Sequence, residues 1–223
     1  MLEAPARLHL PPAGRLVGTG GVDALAWYYR PGLGWLMRRR LVWVRDAVAG
    51  TRAAAAPVAR ALEVGYGSGI FQYELSRAAR VSVGIDVHSS AAVTRSRLTR
   101  DGVQSELVRG SGCVLPFRDG SFERVVLMST LEFVPDPAAC LREVLRVLAP
   151  GGRLVALTTR HLRWADRVLR RIVGRDPEAE FAGGRERVGA ALAAVLPDAA
   201  RAARPRWLPP RLAPYELVTY ERR

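Results

Sequence analysis

Lysine is absent from this sequence: all 34 basic residues are arginine, and with 21 acidic residues the formal net charge is +13. A charge of this size is compatible with binding to nucleic acid or to an anionic membrane. Codon bias in GC-rich DNA, which favours Arg, Ala and Gly together, explains it equally well. Apart from the run at 38–40, the arginines are scattered, and no basic motif with interleaved aromatic residues occurs. On charge alone we therefore do not expect a nucleic-acid partner.

Cysteine is scarce as well, since Cys113 and Cys140 are the only two. They form no disulfide framework, and we expect two reduced thiols in a cytoplasmic protein. The sequence also lacks the run of about 18 apolar residues that a membrane-spanning helix needs. No continuous apolar stretch follows the first charges, so we expect no secretory signal. The 223 residues, 49% of them hydrophobic, are enough for one well-packed domain.

What the sequence does contain is an alternation of strand and helix patterns from residue 58 onward. Short apolar runs predict strands at 58–64, 81–86, 103–110, 124–130, 153–159 and 215–223. Helical spacing and capping residues predict helices at 68–79, 89–102, 137–147, 162–173 and 184–195, with the Leu-Ala-Pro-Gly-Gly run at 148–152 as a helix stop and turn. This order is typical of an open, mostly parallel sheet wrapped by helices.

The first 50 residues precede this alternation. Residues 1–22 are rich in Pro, Gly and Ala and predict an arm or an irregular cap. From Leu33 onward, apolar residues follow helical spacing while Arg38 and Arg39 take the opposite side, which predicts an amphipathic helix. We therefore divide the chain into an N-terminal arm and helix that cover the site, residues 1–50, and a catalytic domain, residues 51–223.

The run Ala61–Phe71, ALEVGYGSGIF, predicts a ligand-binding loop. Gly65, Gly67 and Gly69 follow a buried strand, and glycine leaves room for a ligand to approach the backbone. A dinucleotide loop has the spacing G-x-G-x-x-G, whereas here the spacing is G-x-G-x-G and a carboxylate, Glu63, precedes it. Asp86 ends the second strand, 21 residues after Gly65, where an acid accepts ribose hydroxyls. An adenosine with a cationic tail fits this set better than a diphosphate.

Several further motifs stand in register with this loop. The segments LEVGYGSG, GID, LPFRDGSFERVV, LEFVPDP and VLRVLAPGGRLVAL resemble, in order and spacing, class I S-adenosylmethionine-dependent methyltransferases, in particular their small-molecule, type 11-like group. The resemblance covers about residues 58–160. It implies an α/β fold with a Rossmann-like, mostly parallel seven-stranded sheet whose last strand is antiparallel. It also implies S-adenosyl-L-methionine as the cofactor.

The resemblance implies a set of cofactor-binding residues along four segments. Glu63 and the glycine loop hold the methionine part, and Asp86 binds the ribose. The segment GSGCVLPF resembles the family's GDAxxLPF, but Ser111 replaces the acid that binds the adenine amino group. Adenine recognition then depends on backbone groups. The complete set is Glu63, Gly65, Tyr66, Gly67, Gly69, Asp86, Val87, Ser111, Gly112, Cys113 and Met128.

Candidates for catalysis and for acceptor binding lie near the ends of the fourth and fifth strands. Glu132, which occupies a position where many relatives have histidine, is a candidate base or orienting group, and His161 is a second candidate base. Leu131, beside Met128, is expected to border the acceptor. Tyr28 and Tyr29 either touch the ligand or fix the N-terminal helix to the domain. We assign no metal ligands.

The favoured function is methyl transfer from S-adenosyl-L-methionine to a hydrophobic small molecule by in-line displacement. A domain that binds the cofactor without turnover is one alternative, suggested by Ser111 and by the lack of an obvious base. Methylation of a lipid or quinone at a membrane surface, contacted by LMRRRLVWV, is another. The absence of an NPPY-type tetrapeptide after the fourth strand argues against amino-methylation of nucleic-acid bases. The oligomeric state is left open.

Overall fold

A computed structural model of the protein describes residues 8–20, 23–50, 56–174 and 176–223. Its centre is one seven-stranded sheet with the order β3-β2-β1-β4-β5-β7-β6. The strands are β1 Val58–Val64, β2 Ala79–Asp86, β3 Ser105–Arg109, β4 Phe122–Met128, β5 Leu148–Thr159, β6 Ala200–Arg204 and β7 Tyr215–Glu221.

The first five strands are parallel, and β7 pairs antiparallel with both β5 and β6. The predicted fold class, a mostly parallel Rossmann-like sheet with an antiparallel last strand, is confirmed. Strand order reverses at β1, which lies between β2 and β4. Ligands of such sheets bind at the carboxyl ends of the strands beside this reversal, and we call that edge the site edge.

Helices cover both faces of the sheet. They are α1 Leu25–Tyr28, α2 Leu33–Ala49, α3 Gln72–Ala78, α4 Ala91–Arg100, α5 Pro137–Val147, α6 Arg163–Val173, α7 Pro177–Phe181 and α8 Gly184–Val195. Residues from α2, α3 and α4 share one apolar core with the sheet, and residues from α5 and α8 share the other. Alternate residues of β4 serve the two cores: Val125 and Leu127 face α5 and α8, while Val126 faces α2.

The structure differs from the sequence-based prediction at several elements, and the short helices α1 and α7 were not predicted. Strand β6 was not predicted, because its sequence, ARAAR, has no apolar alternation and lies at the sheet edge. The 148–152 run ends α5 as predicted, yet it is also the first part of β5. There Gly151 donates its N–H to Arg222 O and Arg222 donates to Gly152 O, so the chain's C-terminal end pairs with it. Helix α3 begins at Gln72, after the glycine loop, rather than at residue 68.

The amphipathic N-terminal helix packs on its own domain. Met37, Leu41, Val44 and Val48 of α2 are buried in the core on the α3 and α4 side. The side chain of Leu33 lies outside the described part of the chain, as do residues 1–7, 21–22 and 51–55. Because the apolar stripe of α2 is buried, only its outer side is available to a membrane.

The described part of the arm, residues 8–20, crosses α3 and α4. The N–H of His9 donates to Glu74 Oε1 over 2.6 Å, and Arg15 pairs with Asp101. Arg97 donates to the carbonyl of Arg15 over 2.7 Å. These contacts lead the arm toward the glycine loop.

Candidate functional site

The backbone of the glycine loop is hydrogen-bonded to Asp86, the acid at the end of β2. The N–H of Gly67 donates to Asp86 Oδ2 over 2.9 Å, and the N–H of Val87 donates to Asp86 Oδ1 over 2.7 Å. The Val87 side chain is 67% exposed although it is apolar. The carboxylate keeps lone pairs for further donors, and an apolar surface lies beside it. This arrangement suits a ribose next to a flat, apolar base.

The three loop glycines differ in what a side chain would meet. All three have positive φ, +80° at Gly65, +49° at Gly67 and +79° at Gly69. A Cβ at Gly65 would clash with the side chain of Thr130, and one at Gly69 would lie 3.0 Å from Thr94 of α4. At Gly67 the nearest atom would be 3.9 Å away. Packing explains two of the glycines, whereas a Cβ at Gly67 would meet its nearest neighbours only at ordinary contact distance.

Glu63 is a buried carboxylate in the strand that leads into the loop. It is 1% exposed, and its Oε2 accepts from Gln72 Nε2 over 2.6 Å. Burial raises the pKa of Glu63 to about 8; the Gln72 hydrogen bond lowers it, and the Asp86 charge raises it further. An approaching cation would favour ionisation of this carboxyl group.

Tyr66 and His88 support the loop from below. A Cβ at Gly84 of β2 would lie 2.8 Å from the Tyr66 ring, so the ring packs on bare strand backbone. The His88 ring meets the Tyr66 ring edge-on at 4.9 Å. Its Nδ1 accepts from the Ser90 N–H, so its Nε2 carries the proton that faces Gly67 O over 3.1 Å. His88 thus fixes the loop through the backbone of Gly67.

The segment after β3 forms a small turn. Ser111 Oγ accepts from the N–H of Cys113 over 3.2 Å, and Cys113 Sγ points to Asp136 O over 3.4 Å. A Cβ at Gly112 would lie 2.7 Å from Val64 at the end of β1. Ser111 therefore supports the turn, and the segment borders the end of β1, beside the loop.

A buried arginine, Arg40 of α2, lies on the other side of β1, near the ends of β4 and β5. It is 6% exposed, and its guanidinium lies 5.0 Å from the centre of the Tyr215 ring. It donates to Ser129 Oγ, the residue after Met128, whose φ is +53°. Its Nε has no partner among the described residues. Burial opposes the charge of Arg40, but Tyr28, Tyr215 and Glu132 outweigh it and raise its pKa.

Glu132 is the buried acid of this cluster. It is 1% exposed; Oε1 accepts the N–H of Thr159 at the end of β5, and Oε2 lacks a partner in the described ranges. Burial raises the pKa of Glu132, while the Thr159 hydrogen bonds and the Arg40 charge lower it. A buried carboxyl group with one free oxygen can accept a proton from a ligand beside it.

The remaining acceptor candidates occupy different environments. Tyr28 is 3% exposed, and burial raises its pKa, with Arg40, Tyr215, Asp23 and Glu63 as electrostatic neighbours. The phenol of Tyr28 thus lies between Glu63, which leads into the glycine loop, and Arg40, which lies near the ends of β4 and β5. The hydroxyl of Tyr29 donates to Pro11 O over 2.8 Å and fixes the arm.

Leu131 lies in the core shared with α5 and α8. It is 0% exposed, in the 3-10 turn Leu131–Phe133 that also carries Glu132. The prediction that Leu131 borders the acceptor receives no support from this burial.

His161 is held by two carboxylates. Its Nδ1 lies 2.6 Å from Glu186 Oε1 and its Nε2 lies 3.4 Å from Asp166 Oδ2. Asp166 also pairs with the buried Arg185 over 2.6 Å. The cluster joins the end of β5 to α6 and α8. Both ring nitrogens have partners, so a structural role is favoured over that of a base.

The N-terminal arm closes over Gly67 through Asp23. Asp23 accepts from the N–H and hydroxyl of Thr19 and from the N–H of Leu25, all within 3.0 Å. A Cβ at Gly67 would lie 3.9 Å from Thr19 Oγ1 and 4.0 Å from Asp23 Oδ2. Thr19 and Asp23 thus lie over the loop at Gly67.

Arg40, Tyr215 and Asp23 were missed by the sequence-based prediction. Arg40 stands three residues after Met37, at a position of the helical spacing that belongs to the buried face. A charge on such a face indicates a buried polar cluster. For Tyr215 and Asp23 no comparable pattern exists, because strand order and the path of the arm bring them to the site.

Comparison with known proteins agrees with this geometry. Residues 62–156 match a family model described as a methyltransferase domain. The demethylmenaquinone methyltransferase of Staphylococcus saprophyticus is 36% identical over 103 residues, which cover 45% of this chain and 44% of that protein. That of Lactococcus lactis is 31% identical over 105 residues, covering 45% and 42%. The match thus spans less than half the length of these curated relatives.

Solved structures share the fold at low sequence identity. The geranyl diphosphate C-methyltransferase of Streptomyces coelicolor A3(2) aligns with a TM-score of 0.64 and 16% identity over 92% of this chain and 87% of that one. The PH0226 protein of Pyrococcus horikoshii aligns with a TM-score of 0.59 and 18% identity over 84% and 91%. Within the described residues, no helix has the length and apolar character needed to cross a bilayer.

Proposed function

We propose that residues 62–156, which match a methyltransferase-domain family model, belong to a class I, S-adenosylmethionine-dependent methyltransferase domain, and that the protein transfers a methyl group from this cofactor to a hydrophobic small molecule. The observation that carries the proposal is the hydrogen bond between Gly67 and Asp86, which joins a glycine cradle to a ribose-binding acid at the strand-order reversal.

The residues present fit the cofactor. A side chain at Gly67 would enter the space that we assign to the cofactor, and Asp86 has free lone pairs for ribose hydroxyls. The exposed Val87 offers an apolar surface to adenine, and the turn at Ser111–Cys113 borders the end of β1. Glu63 supplies a buried carboxyl group for the positively charged methionine end.

When bound, S-adenosylmethionine supplies a methyl group on a positively charged sulfur and leaves as a neutral thioether. The protein's part is then to align the acceptor with that methyl group and to exclude water. Thr19 and Asp23 over Gly67, together with the buried Tyr28, support such a cover. We therefore propose that the N-terminal segment, residues 1–50, closes the site of the catalytic domain, residues 51–223.

The acceptor side requires a base if an O–H or N–H group is methylated. Glu132 is the proposed base, because Oε2 has no partner among the described residues and burial raises the pKa of this carboxyl group. Arg40 then stabilises negative charge that develops on the acceptor. His161, the other candidate, has carboxylates at both ring nitrogens. The free polar atoms of Arg40 and Glu132 favour an acceptor with one acidic hydroxyl or a similar group.

The apolar character of the acceptor has separate support. The two curated relatives are named for demethylmenaquinone, an apolar compound. Met128 and the aromatic rings of Tyr28 and Tyr215 belong to or pack against the apolar core on this side. The solved structures share the fold alone and carry no argument about the acceptor.

Methyl transfer from tritium-labelled S-adenosylmethionine into an extract of the source cells tests the proposal. Label is counted in the organic-soluble, water-soluble small-molecule, protein and nucleic-acid fractions. We expect label in the organic-soluble fraction, and much less of it with Asp86→Ala, the matched control, at a cofactor concentration below the binding constant.

Label in nucleic acid or protein would overturn the proposed acceptor class. Cofactor binding without label in any fraction, repeated with extracts of cells grown under several conditions, would instead favour a domain that binds the cofactor without turnover.

A further inference from the structure

We propose that this protein binds anionic lipid bilayers through a basic and aromatic surface beside its site edge. This rim surface combines the outer side of α2 with the segment that runs from Arg204, the last residue of β6, to the start of β7. Its members are exposed or line one groove: Trp35, Arg39 and Trp43 on α2, and Arg204, Arg206, Trp207, Arg211 and Leu212 on the segment.

Large apolar side chains are exposed on the rim surface. Trp207 is 68% exposed, Trp35 is 50% exposed and Leu212 is 39% exposed. Pro209 and Pro210, which stand between Trp207 and Leu212 in the sequence, are exposed as well. Exposed tryptophans together with other apolar residues mark a surface that contacts something other than water. Tryptophan in particular favours the interface between lipid headgroups and hydrocarbon.

The charge of the segment has one sign. Between Asp198 and Glu216 the sequence contains no acidic residue and four arginines, at 201, 204, 206 and 211. Arg201 pairs with Glu216 over 2.6 Å. Arg204 donates to the carbonyl of Ala203, and burial and then the nearby Arg206 lower its pKa. An anion bound beside Arg204 and Arg206 would favour the charged form of both.

The two halves of the rim surface face each other across a groove of about 740 Å³. Arg39 and Trp43 line it from α2, and Arg204, Arg206 and Trp207 line it from the segment. The guanidinium of Arg39 also lies 5.9 Å from the centre of the Trp35 ring. The outer side of α2 and the segment therefore form one continuous surface.

This surface adjoins the acceptor side of the site. Arg204 is in register with Tyr215 at the start of β7. The Tyr215 ring contacts Trp43, which lines the groove, at 6.1 Å, and contacts the buried Arg40 at 5.0 Å. A single ring thus separates the groove from the Arg40 and Glu132 cluster. Delivery of an apolar acceptor from the bilayer along this route rests on the proposed function, whereas lipid binding itself does not.

The segment is anchored at the same edge. Arg160, after β5, donates to the carbonyl oxygens of Pro210 and Ala213. Helix α6, which follows Arg160, carries two more exposed apolar residues, Trp164 at 39% and Val168 at 46%. An apolar and basic surface built from several elements suits a bilayer better than the phosphate backbone of a nucleic acid, which needs charge but not exposed apolar bulk.

Co-sedimentation of the full chain with lipid vesicles tests the proposal. One set is phosphatidylcholine alone, and the other contains about one third phosphatidylglycerol as the anionic lipid. We expect binding to the second set that weakens with salt. The double variant Arg206→Gln and Arg211→Gln should bind about 30-fold more weakly, since each arginine near an anionic surface contributes roughly fivefold.

The matched control is the double variant Arg77→Gln and Arg80→Gln. It removes the same charge at the end of α3 and the start of β2, and both residues are exposed. It should bind vesicles within about twofold of the original protein. Trp207→Ala should weaken the binding that remains at high salt. All variants should unfold at the same temperature and bind the cofactor unchanged, so the outcome does not depend on the proposed function.

Three results would overturn the proposal. The first is no sedimentation with phosphatidylglycerol vesicles at low salt. The second is equal loss in both double variants, which would indicate attraction by net charge alone. The third is binding to duplex DNA that the Arg206 and Arg211 double variant loses while vesicles are not bound, which would make this a nucleic-acid surface.

Discussion

The backbone N–H of Gly67 donates to the carboxylate of Asp86 over 2.9 Å. The contact joins the loop after β1 to the end of β2, two segments that are neighbours only because the strands pair in parallel. It fixes the position of the acid relative to the least crowded of the three loop glycines. The same carboxylate therefore supports the loop and faces the proposed ribose site.

Replacing Asp86 by Ala should weaken cofactor binding by at least tenfold. Two ribose hydrogen bonds are lost, each worth about 1 kcal/mol, and the Gly67 N–H loses its acceptor. Isothermal titration with S-adenosylmethionine measures the change. Asp86→Asn, which keeps an acceptor oxygen for Gly67, should lose less. Unchanged affinity in a folded Asp86→Ala protein would contradict the cofactor assignment.

Replacing Gly67 by Val should abolish measurable cofactor binding. The Val side chain would enter the space beside the loop that we assign to the cofactor. A β-branched residue would also be strained at the backbone φ of +49°. Gly67→Ala carries the strain with a smaller side chain, and we expect a partial loss. Thermal unfolding of both variants shows whether the fold is intact. If Gly67→Val folds and binds normally, the loop is only a turn.

Glu63 should make the free energy of unfolding fall as the pH rises. Its pKa is about 8 in the folded protein against 4.5 ordinarily, so the unfolded chain ionises first as the pH rises. The folded state loses stability between about pH 4.5 and pH 8, and the loss levels off above that. The isosteric Glu63→Gln variant lacks this loss, and at pH 7 it should be more stable by about 3 kcal/mol.

Chemical denaturation of both proteins at several pH values measures the Glu63 effect. Below about pH 4.5 the two should differ little, because Glu63 is then protonated in both states. In contrast to this gain in stability, Glu63→Gln should bind S-adenosylmethionine more weakly, because the carboxylate facing the cationic methionine end is gone. A stability difference that does not change with pH would show that Glu63 is ionised when buried.

Replacing Glu132 by Gln should lower the transfer rate by about 10²- to 10⁴-fold, the usual contribution of a general base. The cofactor affinity should stay the same, since Glu132 lies on the acceptor side. Initial rates with the acceptor isolated from the labelled extract provide the measurement. His161→Asn is the comparison: it breaks the link between Glu186 and Asp166, so it should lower stability and reduce the rate less than tenfold. The reverse ranking, with intact folds, would make His161 the base.

Local sequence was sufficient for the elements with strong patterns. Apolar runs predicted β1, β2 and β4, and the Asp136–Pro137 start of α5 follows ordinary capping, because Asp136 accepts the Ala139 N–H over 2.9 Å. Strand β6 was not predicted from the sequence, because a strand at the edge of a sheet needs no alternation of apolar and polar residues. The sequence predicts only a turn at Pro150–Gly152, because Arg222, which pairs with this run as a strand, is about 70 residues away.

The sequence by itself determined that a glycine loop follows a buried strand, that an acid ends the next strand, and that the fold class is a mostly parallel sheet with helices. These are properties of spacing and of residue type along one segment. Only the tertiary structure decided that Gly67 is the least crowded of the three loop glycines, that Arg40 is buried beside Glu132, and that Leu131 belongs to the core. Those facts depend on which strands and helices pack against each other, and local residue patterns do not determine that long-range packing.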